Sequence, residues 1–242
     1  MEIRIDPRRI ALCLIAIVIA LAGAHIGGMV ARYVLGYEYA YGLIDTFNLN
    51  FENNVPTFFA TFMLVACAAL LAVTARHYAA AGGGAAWWKW LAILFVFLAV
   101  DEDASLHELL IQPLRERLPV AGPLYFAWVV PYGLAVLLVG LAYVRFVWLL
   151  PVCTRRLFVA AGSIYLTGAL GLELAAGWYL SQGEGSEDLR YSLLVAAEES
   201  LEMSGIVLFI YALLDHLRQR LGGEPLRIRI PAAAGETGWP PR

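Results

Sequence analysis

Charge is scarce in this sequence: 17 Lys and Arg with 20 Asp and Glu make up 15% of 242 residues, against 61% hydrophobic side chains. Together with a mean hydropathy of +0.69, that balance excludes an ordinary soluble domain, in which about a quarter of residues are charged. The basic residues scatter around the ends of apolar runs instead of forming a patch, so nucleic acid is excluded as a partner. Cysteine is rare as well. Cys13 and Cys67 lie in apolar runs and Cys153 in a short loop, which excludes a disulfide framework and a CxxC metal pair and leaves packing roles. The chain has no HExxH, no nucleophile elbow, no haem-ligand pair and no glycine-rich nucleotide loop. His107-Glu108 is followed by no matching histidine. No nucleotide or haem cofactor is expected, and no motif names a reaction. Internal repeats of the transporter kind are absent too.

What the chain does have is long apolar runs. At about 20 residues per span there is room for six or seven membrane helices and no separate soluble domain. Runs at 10–34, 55–77, 86–110, 123–148, 156–180 and 191–217 predict an all-α, polytopic bundle of six transmembrane helices over residues 1–221. Arg4, Arg8, Arg9, Arg76, Lys89, Arg145, Arg155, Arg156, Arg218 and Arg220 mark one set of span ends, which the positive-inside rule assigns to the cytoplasm together with both termini. Arg32, Arg115, Arg117 and Arg190 fall on the other side. Trp87, Trp88, Trp90, Trp148 and Trp178 sit near span ends, where amphipathic rings favour the interface. Residues 222–242 are too short and polar to bury a core and are expected to be a disordered cytoplasmic tail. The first run, ending at Ala22-Gly23-Ala24, also resembles a secretory signal. Its apolar sequence continues to Val30, so an uncleaved anchor is expected. A bacterial inner membrane is the simplest location, with the lipid bilayer as the first partner.

Against this apolar background, eight acidic residues and two histidines fall inside the predicted spans: Asp101, Glu102, Asp103, Glu108, Glu173, Glu198, Glu199 and Glu202, with His25 and His107. A charge at membrane depth costs roughly 2.5–3.5 kcal/mol on insertion scales, so each marks a functional position by default. The alternating topology brings these residues, and Glu52 at the mouth of span 2, into the outer half of the membrane. Helical spacing puts Glu198, Glu199 and Glu202 on one arc, and it predicts Asp101, Ser105 and Glu108 on one stripe of span 3 and Asp103 with His107 on another.

Carboxylates crowded in low dielectric must share protons, pair with cations or bind metal. Almost no intramembrane Lys or Arg is available to pair them. Carboxylates with imidazole suit iron, manganese or zinc, and the donor supply loosely resembles the Glu and Glu-x-x-His sets of bundle-type di-metal sites. Asp103, His107, Glu173, Glu199, Glu202 and His25 are therefore the candidate metal ligands, with Glu52, Asp101, Glu102, Glu108 and Glu198 completing the polar cluster. Plainer roles stand beside these. Asp101 to Glu108 fits the solvated end of a short span, Asn53 or Asn54 before Pro56 fits a helix N-cap, and His25 among Gly23, Gly27 and Gly28 fits a hydrogen bond across a close helix contact as well as it fits a ligand. His77 and His216 lie on the far side and are excluded as ligands. Three functions follow: a metal site in a membrane enzyme acting on a lipid-soluble or small substrate, a proton- or cation-coupled transporter using the same carboxylates, or a non-catalytic subunit that docks a protein partner in the membrane.

Overall fold

Short polar residues start the long helices. In the computed structural model, which describes residues 2–37, 39–117, 120–182, 187–222 and 226–229, strand β1 (Glu2–Ile5) leads to Asp6, whose carboxylate accepts from the backbone N–H groups of Arg8 and Arg9 and caps α1 (Pro7–Tyr33). A 3-10 turn, Ala40–Gly42, and the short α2 (Leu43–Thr46) follow. Asn54 then caps α3 (Val55–Ala80) through the N–H of Thr57, with Pro56 in the first turn. After Gly82 at positive φ comes α4 (Ala86–Ala104), then a 3-10 turn at Glu108–Leu110 and α5 (Ile111–Arg115). A 3-10 turn at Gly122–Leu124 precedes α6 (Val129–Leu149), which Pro151 ends. Helix α7 (Val152–Leu166), a π-helical turn (Thr167–Leu172) and α8 (Glu173–Ser181) make one rod. Asp188 caps α9 (Leu189–Arg220) by accepting from the N–H of Tyr191, and strand β2 (Leu226–Arg229) pairs antiparallel with β1, Ile3 opposite Ile228.

The long helices overlap the predicted apolar runs, with three differences, the first being that the run read from residue 123 becomes helical as α6 only at Val129, after the 3-10 turn at Gly122–Leu124. Span 3 was expected to reach residue 110, yet α4 stops at Ala104 because Ser105 adopts a left-handed conformation, φ 49°. The expected disordered tail contains β2, whose pairing with β1 satisfies backbone groups on both strands; residues 223–225 and 230–242 lie outside the described residues.

Helix α9 is the axis of the bundle, packed by α1, α3, α7 and α8. Met203, Ile206, Val207, Ile210 and Leu213 on α9 join Met63, Leu64, Cys67 and Leu71 on α3 and Trp88 on α4 in one buried cluster. Close approach of α7 to α9 depends on Gly205: a Cβ there would lie 2.7 Å from the backbone nitrogen of Tyr165 and 2.9 Å from the carbonyl of Ala161. The outer faces are apolar, with Leu12 and Ile19 on α1, Phe58 and Phe62 on α3 and Leu138 and Leu141 on α6 all exposed. Among the described residues, four helices are long and apolar enough to cross a membrane: α1, α3, α6 and the Val152–Ser181 rod. These faces are consistent with a membrane protein, since lipid needs no polar covering. Two further long helices carry the acids: α4, and α9, which is largely buried among the others.

Candidate functional site

On α9, Glu198, Glu199 and Glu202 are held on one arc by the helical repeat, and that arc faces a cavity of about 180 Å³. Glu173 at the start of α8, Asp101 and Glu102 near the end of α4, His107 and Glu108 in the turn beyond it, and Glu52 in the loop before α3 line the same cavity. Among the described residues, no lysine or arginine lines it.

Helix α8 is aimed by its π-helical turn. The one extra residue rotates everything downstream by about 100° relative to an unbroken α-helix, which decides the face on which Glu173 emerges. Gly168 lets that turn press on α9, since a Cβ there would lie 2.7 Å from the carbonyl of Glu198 and 2.8 Å from the Glu202 side chain. Glu173 accepts a hydrogen bond from Trp128 Nε1 at 2.8 Å, and Glu198, only 8% exposed, lines the same cavity. Tyr165 joins Glu102, Glu199 and Glu202 in the lining of the cavity.

The end of α4 builds the other wall. The left-handed Ser105 turns the chain so that His107 folds back onto Asp101, with Nδ1 to Oδ2 at 3.3 Å. Tyr132 donates to the other oxygen of Asp101 at 2.7 Å, and the His107 ring packs 4.7 Å from Trp128. Holding Nδ1 on a carboxylate leaves Nε2 as the free nitrogen, the arrangement in which imidazoles bind metals. Ligand atoms of Glu52, His107 and Glu108 lie within 4.8 Å of one another. Glu52 and His107 sit in turns outside the long helices. Burial pushes the Glu52 carboxyl above the usual carboxylate range. Burial alone would lower His107, but the hydrogen bond and charge of Asp101 outweigh it and raise the imidazole above its ordinary value.

Two of the predicted ligands stand apart. Asp103 is exposed and lines no part of the cavity. Its expected pairing with His107 needs a helix through residue 107, and the stripe of Asp101, Ser105 and Glu108 needs one through residue 108; α4 ends before either. His25 is 1% exposed and spent on backbone groups: Nδ1 accepts from Leu49 N–H at 3.0 Å and Nε2 donates to the Ser192 carbonyl at 3.1 Å. It fastens α1 to α9 and to the loop that carries Glu52, and neither nitrogen is left for a metal. His216 lies about 20 Å along α9 from Glu202 at 1.5 Å per residue, bonded to Thr154 and Tyr78. The aromatic lining residues Trp128, Tyr132, Tyr165 and Tyr191 had no separate signal in the sequence, because aromatic residues near apolar segment ends are expected at any membrane interface.

These features define an α-helical bundle, apolar on its outer faces, that encloses a carboxylate–histidine cavity. The chain belongs to the family described as a domain of unknown function, DUF8692, whose model matches residues 11–217 and so spans every residue lining the cavity. No curated protein and no solved structure matches the chain.

Proposed function

We propose that this is a six-span integral protein of the cell membrane, with both termini cytoplasmic, that holds a divalent metal ion in the cavity as the centre of an enzyme for a small or lipid-soluble substrate. The observation that carries this is the convergence of eight carboxylates and one carboxylate-oriented imidazole on one cavity whose lining has no lysine or arginine. Such a set cannot ionise together in low dielectric without a cation or shared protons. An oxygen-rich donor set with one imidazole fits iron, manganese or zinc. His107 and Glu52 near the surface, and Glu102, Glu173, Glu199 and Glu202 deeper, are the ligands we assign, with Asp101 positioning His107. A bound ion of this kind supplies Lewis acidity or a hydroxide at neutral pH. The chain itself holds the imidazole tautomer through Asp101, keeps Glu173 oriented through Trp128, and lines the site with aromatic rings.

The presence of Glu173 and Glu198 on the same cavity favours a second function, proton or cation carriage, because intramembrane carboxyls can take up and release protons. Against it, α9 beyond Glu202 turns buried and apolar through Met203, Ile206, Val207 and Ile210, so no polar path leads from the cavity to the opposite end along that helix. The deciding experiment is elemental analysis of gently purified protein, extracted without chelator, for wild type, Glu202→Ala, His107→Ala and Asp103→Asn. Stoichiometric metal in wild type and Asp103→Asn that falls in the other two supports the site. Metal-free wild type sinks it, and flux in liposomes then becomes the assay for the carrier.

A further inference from the structure

The opposite end of α9 carries a site of the other sign. Some 13 residues beyond Glu202, about 20 Å along the helix, Asp215 and Arg218 meet the start of α1 around a concavity of about 890 Å³. Arg4, Arg8, Arg9 and Arg218 line it against only two acids, Asp6 and Asp215. Both acids are already engaged. Asp6 caps α1 and pairs with Arg9 at 3.6 Å, and Asp215 pairs with Arg218 at 3.3 Å and accepts from Gln219. Arg9 and Arg218 are the partners in those pairs, so the four guanidinium groups and two carboxylates around the hollow leave a net excess of positive charge that Arg4 and Arg8 supply, and guanidinium forks match phosphate oxygens two at a time.

The rest of the lining is apolar or amphipathic, from Ile5, Ile10 and Tyr211. One turn further along α1, Leu12 is exposed and begins the outer apolar face. With α1 spanning the membrane as proposed above, the hollow falls at the level where a bilayer's headgroups meet its acyl chains. We propose that it binds the phosphate of an anionic phospholipid, with the arginines on the headgroup and the chains lying along α1. Basic pockets between helices at the cytoplasmic surface bind such headgroups, and each arginine near the surface contributes about 1 kcal/mol, a factor of about five in affinity. The site is independent of the acid-lined cavity.

The test is native mass spectrometry of the full-length protein in mixed micelles of phosphatidylglycerol and phosphatidylcholine, with thermal unfolding as a check on folding. Wild type is expected to retain phosphatidylglycerol preferentially. Arg8→Gln and Arg218→Gln are each expected to lower that preference about fivefold, whereas Arg145→Gln and Arg156→Gln, at the same end of the bundle but outside the hollow, leave it intact. Arg8→Lys keeps the charge without the fork and should fall between, giving a readout even if a glutamine variant folds poorly. Equal losses in hollow and control variants would overturn the proposal in favour of a general interfacial charge. Displacement of the lipid by millimolar inorganic phosphate would overturn the lipid source and leave a free-anion site. No preference in wild type would overturn both.

Discussion

Replacing His25 by alanine separates a structural histidine from a ligand. The imidazole is buried and bridges two backbone groups, the Leu49 N–H and the Ser192 carbonyl. The Ser192 carbonyl belongs to α9 and retains the chance of its own helical bond, so the greater loss falls on Leu49, whose N–H is left in the interior. An orphaned buried donor costs about 1–3 kcal/mol, and the second bond about 1 kcal/mol more. The total of about 2–4 kcal/mol corresponds to a fall in melting temperature on the order of 5–15 °C for a chain of this size. Differential scanning fluorimetry with a thiol-reactive dye reads it in a Cys13→Ser, Cys153→Ser background, since those two thiols are exposed and Cys67 is fully buried in the folded state. His25→Gln, which can restore one of the two bonds, should recover part of the shift. Metal content per folded molecule should match wild type in both variants. A His25→Ala protein that melts like wild type, or that folds normally and loses metal selectively, would refute the assignment of both ring nitrogens to backbone groups.

Asp101→Asn and Tyr132→Phe disturb the partner of His107 and not the ligand, so metal affinity measured by competition with a chromophoric chelator should fall about 10- to 100-fold without being abolished, while Asp103→Asn leaves it unchanged. Gly205→Ala drives a methyl into the backbone of α7 and should cost about 1–3 kcal/mol in thermal unfolding, whereas Gly162→Ala, with open space around its Cβ position, should be neutral or stabilising. Asp188→Ala removes the α9 cap at a cost of about 1 kcal/mol. The backbone hydrogen bond from Tyr191 holds the Asp188 carboxyl below its ordinary range, so its stabilisation is fully present above the unfolded carboxylate pKa and lost as pH falls through the folded one. Asp188→Asn should keep the cap and flatten that acid limb of the melting profile.

Much of the architecture is determined by local chemistry and was legible in the residues. Long apolar runs specify helices whose outer faces need no water, Asn54 and Pro56 specify the start of α3, and the spacing of Glu198, Glu199 and Glu202 specifies one polar arc on α9. Glu173 was also legible, because a lone acid among leucines and glycines has no inexpensive place to go. The face on which Glu173 emerges was not, since it is set by a π-helical turn that lies where Gly168 approaches α9, residues about 30 apart in the chain. The same holds at the end of α4. Ser105 is neither glycine nor proline, so nothing local announces that the helix stops there; the left-handed turn coincides with His107 meeting Asp101 and Trp128. That turn puts Asp103 outside and His107 inside, reversing the expectation from helical spacing that the two would act together. His25 shows the same limit, because a histidine among glycines on an apolar helix reads identically whether its nitrogens meet a metal or a backbone, and only the approach of Leu49 and Ser192 decides between them. Composition and periodicity act within a few residues and so determine the helices and the depth of their acids, while the choice of partner for each polar atom depends on segments distant in sequence and is made only when they pack.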